Sequence, residues 1–245
     1  MSYRNELLNN NNDNMEKKYR SNTGEKALRV HARDCHKLMT NPRNKSDELS
    51  ETTKSWLKEM AIKEVLGLRK IVDTKPMIKG VLCVNESIDL YNTVMQTNYI
   101  KNSLTKKKHG FCGKPDLLSE HGAIKIVTSW DASTFPFFKD EVCKLIKKCG
   151  YDWQCRVYMM LFGIERALVS YCLVDTPTET PNGDLLLHKW DDRSLHTFDG
   201  IVDCGKRVSM SEVIERDISI EQKMRERYEI ANRYYQKYLE ELHKK

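Results

Sequence analysis

Between Phe111 and Trp130 the spacing of apolar residues stops being helical and reads as two short strands, 111–118 and 123–130, around Ser119-Glu120-His121-Gly122. So tight a connection makes the pair an antiparallel hairpin, and the rest of the chain must pack around it. On its N-terminal side, Ser50-Glu51-Thr52-Thr53 offers a helix cap ahead of Trp56, Leu57, Met60, Ala61 and Val65, and the three-and-four spacing predicts an amphipathic helix ending near Gly67. A second helix is predicted over 80–97, with Val84, Ile88, Tyr91 and Met95 on one face. A short strand from Tyr99 and a lysine-rich turn lead into the hairpin.

Helix returns after Pro136, over 137–149 and 152–161, interrupted by Cys149-Gly150-Tyr151. The apolar run from Ala167 to Val174 predicts a buried strand, 208–216 a further strand, and 218–243 a long charged helix with Met224, Tyr228, Ala231, Tyr235 and Leu239 along one side. Residues 178–205 show no clear period; with the turn Pro181-Asn182-Gly183 they read as an inserted loop. Residues 1–26, polar and carrying a run of asparagines from Asn9 to Asn12, are expected to be a disordered or loosely attached tail. The element order predicts one α/β domain over 27–245, a mixed central β-sheet flanked by helices, ending in the long helix. No internal repeat is visible.

A chain of 245 residues can bury one sizeable core. The net charge of +6 is modest but unevenly spread: residues 1–46 carry ten Lys/Arg against five Asp/Glu, and residues 101–114 carry five lysines and no acid. Patches of this kind suit a polyanion. There is no run of 18 apolar residues and no signal-peptide core, so a cytoplasmic protein without membrane insertion is expected. The eight cysteines contain no CxxC pair, which points to reduced thiols, several filling core space, and away from a zinc ribbon or an iron–sulfur cluster.

Five blocks in order resemble one family. Val30-His31-Ala32-Arg33 through Pro42-Arg43 is similar to an "ITAS…PR" helix. Lys79-Gly80 with Glu86-Ser87-Ile88-Asp89-Leu90-Tyr91 is similar to "GxxxExxAxxLY", and Gly113-Lys114-Pro115-Asp116 opens a metal-site hairpin. Tyr151-Asp152-Trp153-Gln154 with Tyr158-Met159 is similar to "YxxQxxxYM", and Val213-Ile214-Glu215-Arg216-Asp217 to "VxERD". These are the blocks of the lambda-exonuclease/YqaJ viral-recombinase family of PD-(D/E)XK nucleases, and the resemblance spans about 28–240. It implies a restriction-endonuclease-like core and metal-dependent cleavage of DNA. Such chemistry needs converging carboxylates and a lysine beside the attacking water, and an acid-x-Lys on a strand puts both on one face.

At the active site the pattern breaks. The family's helical acid, four positions after the glycine, falls on Val84; Glu86, two residues further along the helix, points elsewhere. Asp116 stands where the first metal carboxylate belongs, but the acid-x-Lys falls on Lys125-Ile126-Val127. The shifted register that makes Lys125 the catalytic lysine puts Ala123 at the acid position, so a carboxylate is missing in either case. Glu120, in the turn, reaches inward only if the hairpin is shorter than it reads. The expected site is therefore Asp116, Gln154 and Lys125, with Val84 and Val127 at the remaining catalytic positions and Asp116 as a metal ligand of weak or absent affinity. Apart from the resemblance, Asp116 reads as an ordinary strand-end acid and Gln154 as a helix-surface amide. His31 and His36, five apart in a basic segment, suit the core or a phosphate contact better than a metal.

By the same resemblance, Arg33, Lys37, Arg43 and Lys45 belong to the segment that meets DNA, and Lys106, Lys107 and Lys108 sit where a loop can reach a backbone. The leading expectation is a nuclease-fold DNA-binding protein, a pseudoenzyme of viral (phage) recombination, replication or packaging, with no cofactor. The second is an active Mg- or Mn-dependent exonuclease, and the third a protein-binding scaffold without DNA. The family also implies a homo-oligomer and a single-strand annealing protein as partner.

Overall fold

The computed structural model describes residues 27–68 and 73–244; the expected tail over 1–26 lies outside them. Contacts group the described residues into two compact units: 27–68 with Lys107–Cys112 and 217–244, and 73–106 with Gly113–Arg216.

The first unit holds β1 (Val30–His31), α1 (Cys35–Leu38), α2 (Glu51–Leu66), most of the hairpin β2 (Lys106–Lys108) and β3 (Phe111–Gly113), and α7 (Ile218–His243). Helix α2 begins and ends as its sequence predicts. The Ser50 hydroxyl accepts from the Thr53 amide at 3.1 Å, and Gly67 closes the helix in the left-handed region, φ 67°. All five residues of the predicted α7 stripe, Met224, Tyr228, Ala231, Tyr235 and Leu239, are buried. The three-stranded sheet runs β1-β3-β2, with β1 parallel to β3.

The lysines expected in a turn instead form β2. The turn follows them at His109-Gly110, whose φ values of 51° and 78° give the double left-handed conformation that a two-residue hairpin loop requires. A Cβ on Gly110 would lie 2.1 Å from Cζ of Tyr228, so glycine is demanded here by packing as well as by backbone. Tyr228 is held in place by donating its hydroxyl to the Leu28 carbonyl at 2.9 Å.

The second unit holds α3 (Lys75–Leu82), α4 (Val84–Met95), β4 (Leu117–Ser119), β5 (Gly122–Thr128), α5 (Lys139–Cys149), α6 (Tyr151–Phe162), β6 (Arg166–Cys172), β7 (Val208–Met210) and β8 (Ile214–Glu215). Its sheet runs β4-β5-β6-β7, with β8 also pairing with β6. The β5–β6 pair is parallel and the others antiparallel, so the sheet is mixed as expected. Alternation along β5 divides its neighbours. Ile124 and Ile126 join Leu117 in a core with Ile88, Leu90 and Tyr91 of α4. On the opposite face, Val127 pairs with Tyr171, and the Tyr171 ring meets Tyr151 of α6 at 6.3 Å.

Three local expectations are corrected. The helix expected over 80–97 begins earlier, with Pro76 in its first turn, and is divided at Cys83, whose φ −99° and ψ 20° leave the helical region. Within it, Lys79 is fully buried and donates to the carbonyls of Trp130 at 2.8 Å and Val174 at 2.7 Å. The strand expected over 208–216 splits into β7 and β8 around Ser211, which bonds Val169 through both its amide and its hydroxyl. The segment 178–205 buries Leu186, Leu187, His196 and Phe198, so it is packed structure and not a solvated loop. None of the eight cysteines is in a disulfide, and five of them are buried.

Candidate functional site

The β4–β5 ladder stops at Leu117↔Ile124. One residue earlier, Asp116 takes over the pairing with its side chain: its Oδ2 accepts from the Ile126 amide at 2.9 Å. The Asp116 carbonyl accepts from the Asn102 amide at 2.8 Å, which fixes the backbone from the other side. Lys125 stands on the same strand edge. Its Nζ donates to Asp116 Oδ2 at 2.7 Å and to the Ile126 carbonyl at 2.5 Å. Two oxygens therefore converge on one point, and the ammonium occupies it.

The two side chains are 18% and 22% exposed, Lys125 and Asp116 respectively. Burial works against the lysine charge, but the Asp116 carboxylate together with the Tyr158 and Tyr151 phenols outweighs it and holds the ammonium above the usual lysine range. Tyr151 and Tyr158 of α6 lie within electrostatic reach of Lys125. Burial pushes both phenols up, while the Lys125 charge pulls them back. Gln154 is buried at 8% exposure and donates through Nε2 to the Tyr158 hydroxyl at 2.5 Å. It is not a helix-surface amide.

Of the five expected site positions, the structure groups four on one side of β5: Asp116, Lys125, Val127, and Gln154 through Tyr158. Val84 is set apart, packed against the core that contains Ile124 and Ile126, residues that alternate with Lys125 and Val127. Glu120 sits at the hairpin turn with its side chain 87% exposed beside His121. The hairpin itself is shorter than it reads, because the expected strand 111–118 is split, with Phe111–Gly113 pairing in the other sheet and only Leu117–Ser119 pairing with β5. Glu86 lines a separate groove of about 840 Å³ with Asp89, Asp175 and Arg207. The residue that sequence reasoning missed is Ile126, because its contribution is a backbone carbonyl that no side-chain pattern reports.

No family model matches the sequence, and no curated protein matches it. Solved structures do. A phage-related exonuclease from Haemophilus somnus 129PT is 27% identical, with a TM-score of 0.80 over 89% of this chain and 97% of that one. This likeness supports the resemblance to the lambda-exonuclease/YqaJ family and shows its fold. An alkaline exonuclease from Laribacter hongkongensis shares the fold at 16% identity and a TM-score of 0.60, covering 88% of this chain and 92% of its own. The same enzyme in complex with dAMP matches at 17% identity and 0.59, over 87% and 91%.

The chain displays its basic residues in several places. In the first unit Arg33 is exposed on a short turn of 3₁₀ helix, and Lys37 pairs with Asp34 at 2.9 Å. Arg43 and Lys45 are exposed in the following loop, as are the three lysines of β2. His31 Nδ1 lies 3.3 Å from Cys112 Sγ, and His36 Nδ1 lies 2.9 Å from the Arg33 carbonyl. These contacts make each histidine part of its local packing. Among the described residues, no helix is long and apolar enough to cross a membrane.

Proposed function

We propose that the chain is a DNA-binding member of its nuclease family, acting in viral recombination, replication or packaging, with little or no metal-dependent cleavage. One observation carries the reading: the Lys125 ammonium takes the Asp116 carboxylate and the Ile126 carbonyl as its own ligands. A hard divalent cation needs several oxygens, and here the two that converge already neutralise and solvate a cation. Among the described residues, no group of three or more His, Cys, Asp and Glu side chains is arranged to hold a metal. The donor set does not fit magnesium or manganese, and no cleavage step is derived through either.

DNA binding is supported by the exposed cations Arg33, Arg43, Lys45, Lys106, Lys107 and Lys108, with Lys37 beside them. Such groups contact phosphates without reading sequence. A second reading, an active exonuclease, is favoured by the description of all three similar structures as exonucleases. Incubating linear duplex DNA with the purified chain, with and without Mn²⁺, separates the two. Binding without digestion supports the proposal. Digestion that Asp116→Ala abolishes establishes the exonuclease.

A further inference from the structure

Within the first unit, a cavity of about 280 Å³ opens beside β1 and the β2–β3 turn. Arg29, Lys63 of α2, and Lys107 and Lys108 of β2 line it, against a wall that includes Phe111 and Tyr228. Glu64 is the one carboxylate among the lining residues. Arg29, Lys63 and Lys108 are drawn from three separate segments of chain, and none is in an ion pair with another described residue. Side chains of one sign gathered around a concavity repel one another, and an anion relieves that repulsion. At about 280 Å³ the cavity lies just below the roughly 300–1,000 Å³ typical of ligand sites. That is too small for a duplex or a folded segment and suits a single small molecule. None of the residues around Asp116 and Lys125 lines it.

We propose that this cavity binds a small phosphorylated ligand of nucleoside-monophosphate size. Its phosphate is held by Arg29, Lys63 and Lys108. A phosphate dianion matches the convergent cations through charge-assisted hydrogen bonds. The site goes beyond the proposed DNA function and does not rest on it. His31, also on the cavity wall, reports the local field. Although its surface is open, crowding by protein atoms and then the charges of Arg33, Lys63 and Arg29 push its imidazole down to about 4, against a smaller opposing effect of Asp34.

Calorimetric titration of the full chain at low salt with AMP, inorganic phosphate and adenosine tests the site. The expected result is one AMP per chain, with adenosine weaker by about tenfold or more because it lacks the charge. The double variant Arg29→Gln/Lys63→Gln should weaken AMP by about tenfold at unchanged circular dichroism. If that variant does not fold, Lys108→Gln, on an exposed strand, should weaken AMP by about threefold. Bound AMP should also raise the His31 imidazole pKa, read by NMR. Absence of AMP binding, binding unaltered by these changes, or equal loss in Asp116→Asn would each overturn the proposal. DNA binding lost with AMP binding retained removes the proposed function and leaves this site standing; the converse removes the site alone.

Discussion

Lys125 Nζ lies 2.7 Å from Asp116 Oδ2 and bonds the Ile126 carbonyl as well, so a side chain of the protein fills the point where oxygens converge. The pairing follows from register. Leu117 stands opposite Ile124, which leaves Asp116 facing Lys125 across the end of the ladder.

Lys125→Glu replaces the internal cation with a second carboxylate. Two facing carboxylates repel, so the variant should melt below the native chain in EDTA, and Mn²⁺ should raise its Tm while leaving the native Tm unmoved. Adding Val127→Lys supplies an amine on the same face, and linear-DNA digestion then reads whether cleavage returns. Adding Val84→Glu should give no further gain in Mn²⁺ affinity and should cost about 1–3 kcal/mol, because Val84 packs into the core on the other face. A Mn²⁺-dependent rise in the native Tm counts against the built-in cation.

Asp116→Asn leaves the Lys125 charge without its partner in a partly buried position. The expected loss is about 3 kcal/mol in urea unfolding. The double change Asp116→Asn/Lys125→Met should cost less than Asp116→Asn alone, since no isolated charge remains. Additive losses would mean that the pair is uncoupled.

His31 titrates near 4 in the folded chain against an ordinary 6.5. Between those values the unfolded chain binds more protons, so stability falls as pH drops from 6.5 to 4. His31→Gln should flatten that part of the stability profile. The size of the change is modest because the side chain is solvent-accessible.

If phosphates of duplex DNA are bound by the exposed cations, log affinity should fall linearly with log salt. Arg43→Gln and Lys45→Gln should each reduce the slope by about 0.9. Lys37→Gln should change it less, because Lys37 is already paired with Asp34 at 2.9 Å. Affinity that ignores salt would favour a protein-binding scaffold.

Gly110→Ala should destabilise the chain by about 2 kcal/mol or more, since it combines a positive φ with a collision against Tyr228. Gly67→Ala meets nothing within 4 Å and should cost only the backbone strain, about 1 kcal/mol. Thermal melting of the two variants separates packing from backbone preference.

Where neighbouring residues decide the structure, it was legible in the amino-acid sequence. Helix α2 runs from the Ser50 cap to Gly67, and α7 runs over the whole predicted span with its apolar stripe buried, because caps and three-and-four spacing act within a few residues. The hairpin turn at Glu120-His121 and the facing of Asp116 and Lys125 were legible for the same reason, since two-residue periodicity and a short loop set the register. Other features depended on groups distant in the chain. The Ile126 carbonyl carries no side-chain signal. Lys79 is buried only because the carbonyls of Trp130 and Val174, 51 and 95 residues away, meet its ammonium. The side of β5 to which Val84 belongs is set by how α4 docks on the sheet. Sequence periodicity tells which residues share a face of their own element; only the packed structure decides what that face meets.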